Sequence, residues 1–130
     1  MTSPIELRCL IVDDIDTNRA VMEKQIGIAS KACKLPCVCD FAENGLEAVA
    51  LCAQHEYDLI IMDNNMPEMN GPEAAREILA LSPRYIIGYT ATESQEEIDA
   101  CKSAGMEEVL PKNPGQLREA VQQFMRKQSL

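Results

Sequence analysis

The sequence predicts an α/β domain in which helices cover both faces of one doubly wound parallel sheet. Three observations point there. Short apolar runs of strand length alternate with longer stretches of helical period, the signature of successive βα units. The strand runs are almost unbroken in apolar residues, as strands buried on both faces should be. The chain has 130 residues, 46% hydrophobic and 25% charged, which suits one globular domain and excludes collagen-like, wholly disordered and disulfide-scaffold classes.

Five units follow in order. Leu7 to Val12 is the first strand, and Met22, Ile26 and Ala29 recur at i, i+4, i+7 in the helix after it. An irregular connection over about Ser30 to Pro36 then leads to a weaker strand, Val38 to Ala42. Leu46, Val49, Ala50 and Ala53 mark the inner stripe of the second helix, and Leu59 to Met62 form the third strand. Pro72 suits the first turn of a helix whose Ala75, Ile78 and Leu79 face inward. Tyr85 to Tyr89 is the fourth strand. Thr92 with Gln95 reads as a capping box for a fourth helix, with Ile98 and Cys101 on its inner face and Gly105 at its end. Glu108 to Leu110 is a weak fifth strand. Asn113 as N-cap, Pro114 in the first turn and Gln116 at the third position open the last helix, with Leu117, Ala120, Val121 and Phe124 inward. A single domain is expected over 1–130, with a core of about 6–125 and a polar tail, 126–130, that frays.

Charge narrows the partners. Lys plus Arg number 12 against 21 for Asp plus Glu, a net charge of −9 that repels phosphate backbones and anionic lipid, so no direct nucleic acid and no membrane contact is expected. No apolar run approaches the roughly 20 residues that span a bilayer, and Met1 to Arg8 lacks the features of a signal peptide. The expected location is cytoplasmic, with Cys9, Cys33, Cys37, Cys39, Cys52 and Cys101 as reduced thiols. A zinc or disulfide module on Cys33, Cys37 and Cys39 would lack both the paired spacing and the nearby histidine of zinc sites.

Ligands of open parallel sheets bind at the carboxyl ends of the strands, where strand order reverses. Those ends carry Asp13 and Asp14 after the first strand, Asp63 after the third, Thr90 after the fourth and Lys112 after the fifth. Carboxylates held that close raise one another's proton affinity or call for a cation, and an all-oxygen set suits Mg²⁺. Lys112 supplies a positive charge and Thr90 a neutral donor for an incoming phosphoryl group. Any one of these residues would be ordinary at a solvated loop; their conjunction at one sheet edge describes an Asp63 that is phosphorylated with metal assistance.

The runs Ile11-Val12-Asp13-Asp14, Met62-Asp63-Asn64-Asn65-Met66-Pro67-Glu68-Met69-Asn70-Gly71, Tyr89-Thr90-Ala91 and Pro111-Lys112 resemble the receiver domain of two-component response regulators, from about Glu6 to Phe124. Asp13-Asp14 followed by Asn18-Arg19, and Cys101 with Ala104-Gly105-Met106, further resemble the receivers of hybrid histidine kinases. The resemblance implies a flavodoxin-like fold with strand order 2-1-3-4-5. It implies Asp63 as phosphoacceptor, and Asp13, Asp14, Asp63 and the Asn65 backbone carbonyl as Mg²⁺ ligands. Thr90 becomes the switch hydroxyl and Lys112 the phosphate-binding lysine. The implied donor is a phosphohistidine on a histidine kinase or histidine phosphotransfer protein, and the implied output is a protein effector, with the domain a monomer or a phosphorylation-dependent dimer.

Two positions depart from that family. Asn113 separates Lys112 from Pro114, which leaves open whether a cis peptide persists there, and Val109 stands where an aromatic usually accompanies the switch hydroxyl. Two other classes share parts of this pattern. A Mg²⁺-dependent aspartyl-phosphate phosphatase of the haloacid-dehalogenase type wants an acid two residues after the nucleophile, but position 65 is Asn. A receiver-like interaction module that is never phosphorylated would not need the complete set of five side chains found here.

Overall fold

A computed structural model describes residues 6–128, and within it the chain alternates strand and helix throughout. The order is β1 (Leu7–Val12), α1 (Asp16–Cys33), β2 (Cys37–Ala42), α2 (Gly45–Gln54), β3 (Leu59–Met62), α3 (Gly71–Leu81), β4 (Tyr85–Tyr89), α4 (Gln95–Ser103), β5 (Glu108–Leu110) and α5 (Pro114–Gln128). All strand pairs are parallel and the sheet order is β2-β1-β3-β4-β5, as expected.

Strand alternation sends successive side chains to opposite faces and so makes two cores. Leu7, Cys9 and Ile11 join Leu59, Ile61 and Ile87 beneath α1 and α5, where Met22, Ile26, Leu117, Val121 and Phe124 meet them. Leu10 and Val12 join Ile60, Met62 and Ile86 under α2, α3 and α4, with Ala48, Cys52, Ala75, Ile78 and Cys101. The apolar strands are thereby covered on both sides. The chain leaves β1 to one side for β2 and to the other for β3, which opens the crevice at their carboxyl ends.

Several local readings need correction. The segment from Ser30 is not an irregular connection: α1 runs to Cys33 and closes on Lys34 at φ 53°, whose N–H bonds back to the carbonyls of Lys31 and Ser30. The buried face of α2 is Gly45, Ala48 and Cys52, while Leu46, Ala50 and Ala53 are exposed and Val49 is half-buried. The N-cap of α4 is Ser94, which accepts from the Glu97 N–H; Thr92 instead accepts from the N–H of Ser94. Residues Arg126 to Gln128 continue α5 rather than fray, Met125 before them is fully buried, and Ser129 and Leu130 lie outside the described residues, as do Met1 to Ile5. Asn113 does cap α5, accepting from the Gln116 N–H at 3.0 Å. No peptide bond among the described residues is cis. No described helix is long and apolar enough to cross a membrane.

Candidate metal centre

The sheet ladder runs one residue past the strands and aligns the acidic residues. The Asp13 N–H bonds to the Ala42 carbonyl at 3.2 Å, and the Asp63 N–H to the Val12 carbonyl at 3.0 Å, so both aspartates leave the same edge beside one another. The Thr90 N–H bonds to the Leu110 carbonyl at 3.0 Å, which brings the loops holding Thr90 and Lys112 together. Asp13 is fully buried, Asp63 is 7% exposed and Thr90 1%, whereas Asp14 faces solvent.

Asp13 is held from several directions. Its carboxylate accepts from the Ile15 N–H at 2.9 Å and the Asn18 amide at 3.4 Å, and its backbone carbonyl from the Arg19 guanidinium at 2.8 Å. Lys112 Nζ donates to Asp13 Oδ2 at 2.8 Å and stands 3.5 Å from Asp63 Oδ2. One ammonium therefore faces two carboxylates. The Lys112 ammonium also lies 5.8 Å from the ring centre of the buried Tyr89, close enough for a cation–π attraction. Val109, at the position where an aromatic was missed, packs on the α2–α3–α4 side of the sheet.

Burial pushes the Asp63 carboxyl above the ordinary carboxylate range; Lys112 pulls it down, Asp13 pushes it up, and the Thr90 hydroxyl and Asn65 N–H favour the ionised form, leaving it raised. For Lys112, burial favours the neutral amine, but Asp13 and Asp63 outweigh it and the ammonium is held more firmly than usual. One lysine thus leaves the acidic group under-compensated. Asp13, Asp14 and Asp63 each offer an oxygen, and these lie within 4.8 Å of one another. That hard, all-oxygen donor set fits Mg²⁺. Thr90 Oγ1 is buried beside Asp63 without a hydrogen bond of full geometry.

Two supporting features escaped the sequence reading. Asn64 is buried behind Asp63, and its amide reaches Glu97 of α4 at 3.4 Å, a side-chain bond between the site loop and that helix. Gly71 opens α3 so close to the site that a Cβ there would meet the Asp63 carbonyl oxygen at 2.8 Å. Asn64 carries no motif signal beyond lying next to Asp63. Asn65, two residues beyond Asp63, is exposed.

The sequence pattern of the response regulator receiver domain matches residues 9–122. The chain belongs to the receiver domain family. Among relatives of this receiver domain, the virulence sensor protein BvgS of Bordetella bronchiseptica is 34% identical over 119 residues, 85% of this chain and 9% of that protein. The sensor histidine kinase RcsC of Escherichia coli K12 is 31% identical over 108 residues, 82% of this chain and 11% of that protein. The chain thus spans about a tenth of the length of these curated relatives. Among solved structures, the receiver domain of the sensor histidine kinase PA1611 from Pseudomonas aeruginosa PAO1, with a magnesium ion coordinated in its active-site cleft, superposes with a TM-score of 0.79 at 27% identity, covering 93% of this chain and 98% of that one. The receiver domain of Saccharomyces cerevisiae Ssk1, solved with the histidine phosphotransfer protein Ypd1, gives 0.78 at 26% identity over 99% of this chain and 95% of that one.

Proposed function

We propose that this receiver domain takes a phosphoryl group onto Asp63 from a phosphohistidine of a histidine kinase or histidine phosphotransfer protein in the cytoplasm, and signals by a conformational switch to a protein effector. The observation that carries the reading is Lys112, poised between Asp13 at 2.8 Å and Asp63 at 3.5 Å inside a three-carboxylate cluster. Mg²⁺ would be held by Asp13, Asp14, Asp63 and the Asn65 carbonyl. Bound there, it would offset negative charge on the transferring group. The magnesium in the PA1611 receiver and the Ypd1 complex of Ssk1 support this reading.

The chemistry follows from the side chains. An Asp63 carboxylate oxygen attacks phosphorus as the phosphorus–nitrogen bond breaks to a donor imidazole protonated on its other ring nitrogen, leaving an acyl phosphate on Asp63 and a neutral histidine. Lys112 shifts its hydrogen bonds from carboxylate to phosphoryl oxygen, and the unsatisfied Thr90 hydroxyl turns to donate to another. A signalling state moved from about 1% to 99% needs roughly 5.5 kcal/mol of preference, within reach of several charge-assisted bonds. The domain modifies and demodifies itself and turns over no separate substrate.

The test is phosphotransfer from phosphorylated histidine phosphotransfer proteins and kinases of the same genome. Label should move from at least one donor to the domain as a base-labile acyl phosphate. Failure of every donor, with a small phosphodonor still modifying Asp63, would contradict the relay assignment.

A further inference from the structure

Three thiols outside the phosphoryl site gather on the α1–α5 face of the sheet. In the β1–β2 register Cys9 lies opposite Cys39 and two positions from the partner of Cys37, so all three share a face. Cys9 is fully buried; Cys37 and Cys39 are half-buried and belong to the edge strand β2. Cys9 Sγ stands 2.9 Å from Cys37 Sγ, and all six cysteines are free. Cys33, grouped with Cys37 and Cys39 from the sequence, bonds elsewhere: its Sγ faces the Gln122 carbonyl at 3.8 Å. The cluster that forms is therefore a different one, with Cys9 in place of Cys33.

We propose that Cys9 and Cys37 are a peroxide-oxidisable pair that closes reversibly to a disulfide between β1 and β2. Cys37 is the thiol that reagent reaches first, because Cys9 is sealed beneath α1 and α5. The Cys37 sulfur attacks the peroxide O–O bond, giving a sulfenic acid and one water. The Cys9 sulfur then displaces hydroxide from that sulfenic acid, which leaves with the Cys9 proton as a second water. Two thiols lose two hydrogens and two electrons, and one peroxide is reduced.

Cys39 lies opposite Cys9 in the strand register, but the sulfur at 2.9 Å from Cys9 is that of Cys37. The Cys37 proton leaves with the departing peroxide oxygen as water, so the attack needs no neighbouring base. A metal-binding role for the three sulfurs is the weaker reading: among the described residues only Asp13, Asp14 and Asp63 bring three donor atoms within 4.8 Å of one another.

The experiment is titration of the native protein with hydrogen peroxide, followed by denaturing alkylation, mass spectrometry and fragmentation of any linked peptide. The expected result is loss of two alkylatable thiols of the six, a Cys9–Cys37 link, and full recovery with dithiothreitol. Cys37→Ser, at a half-exposed edge position, should form no link, and Cys39→Ser should still form the Cys9–Cys37 link. Six free thiols after peroxide in the folded wild-type protein, a link through Cys39 instead, or stable over-oxidation of Cys37 would each overturn the proposal. None of these readouts depends on phosphorylation, so the two proposals fail separately.

Discussion

Lys112 is the residue on which the site's electrostatics turn, since it alone among the site side chains opposes Asp13 and Asp63. Lys112→Ala should slow phosphorylation by roughly 10²–10³, the usual effect of deleting one donor to a developing charge, measured as the initial rate with a small phosphodonor. Thr90 behaves differently. Its buried hydroxyl lacks a hydrogen bond of full geometry but helps hold Asp63 ionised, so Thr90→Val should raise the proton affinity of Asp63 further, followed by carboxyl NMR titration, while weakening the phosphorylation-dependent change in partner affinity. Asp63 gives a pH test. Its folded-state proton affinity lies above the ordinary value of 3.8, so its favourable contribution is complete below that pH and disappears as pH rises through the folded-state value. Without metal, Asp63→Asn should therefore be more stable than wild type at pH 7, and the difference should vanish below about pH 3.8. The acidic residues, Thr90 and Lys112 were legible in the sequence because each lies within two residues of a strand end. Asn64 was not, since its contribution is a single bond to a helix whose position no local pattern announces.

At the scale of elements, the strands were the clearest reading and the helix faces the least clear. α2 misleads because its inward positions, Gly45, Ala48 and Cys52, are small; they let α2 approach the loop before α3, where a Cβ on Gly45 would meet the Met69 carbonyl at 2.7 Å. Larger residues on its flanks then carry the stronger apolar signal. α4 misleads because Thr92 with Gln95 and Ser94 with Glu97 both fit the capping spacing, and only the fold selects Ser94. Gly71 is where an element controls the site. Gly71→Ala would press α3 against the Asp63 carbonyl oxygen and should weaken Mg²⁺ binding and phosphorylation together, with the domain still folded by circular dichroism. α4 buries only Cys101 among its helical residues and is tied to the site loop through Asn64. Its amides should exchange faster than those of α5 before phosphorylation, and should change most after it.

Across the whole molecule, a net charge of −9 and an acidic crevice set the response to divalent cations. Mg²⁺ at a hundred times its dissociation constant should raise stability by about 2.7 kcal/mol, and Asp14→Asn should reduce that gain without disturbing the fold, because Asp14 is exposed. The convergence of five side chains at one edge was legible from the strand ends, and the sheet order from the family resemblance that those residues carry. The thiol pairing was not, because Cys9 and Cys37 meet only through the register of two strands that the sequence separates by 28 positions.

The most direct measurement is intact mass after incubation with a small phosphodonor, with and without Mg²⁺. The expected result is a gain of one phosphoryl group that requires the cation and is absent in Asp63→Asn. A gain that persists in Asp63→Asn, or a wild-type protein that stays unmodified in saturating Mg²⁺, would contradict the assignment of Asp63 as the phosphoacceptor.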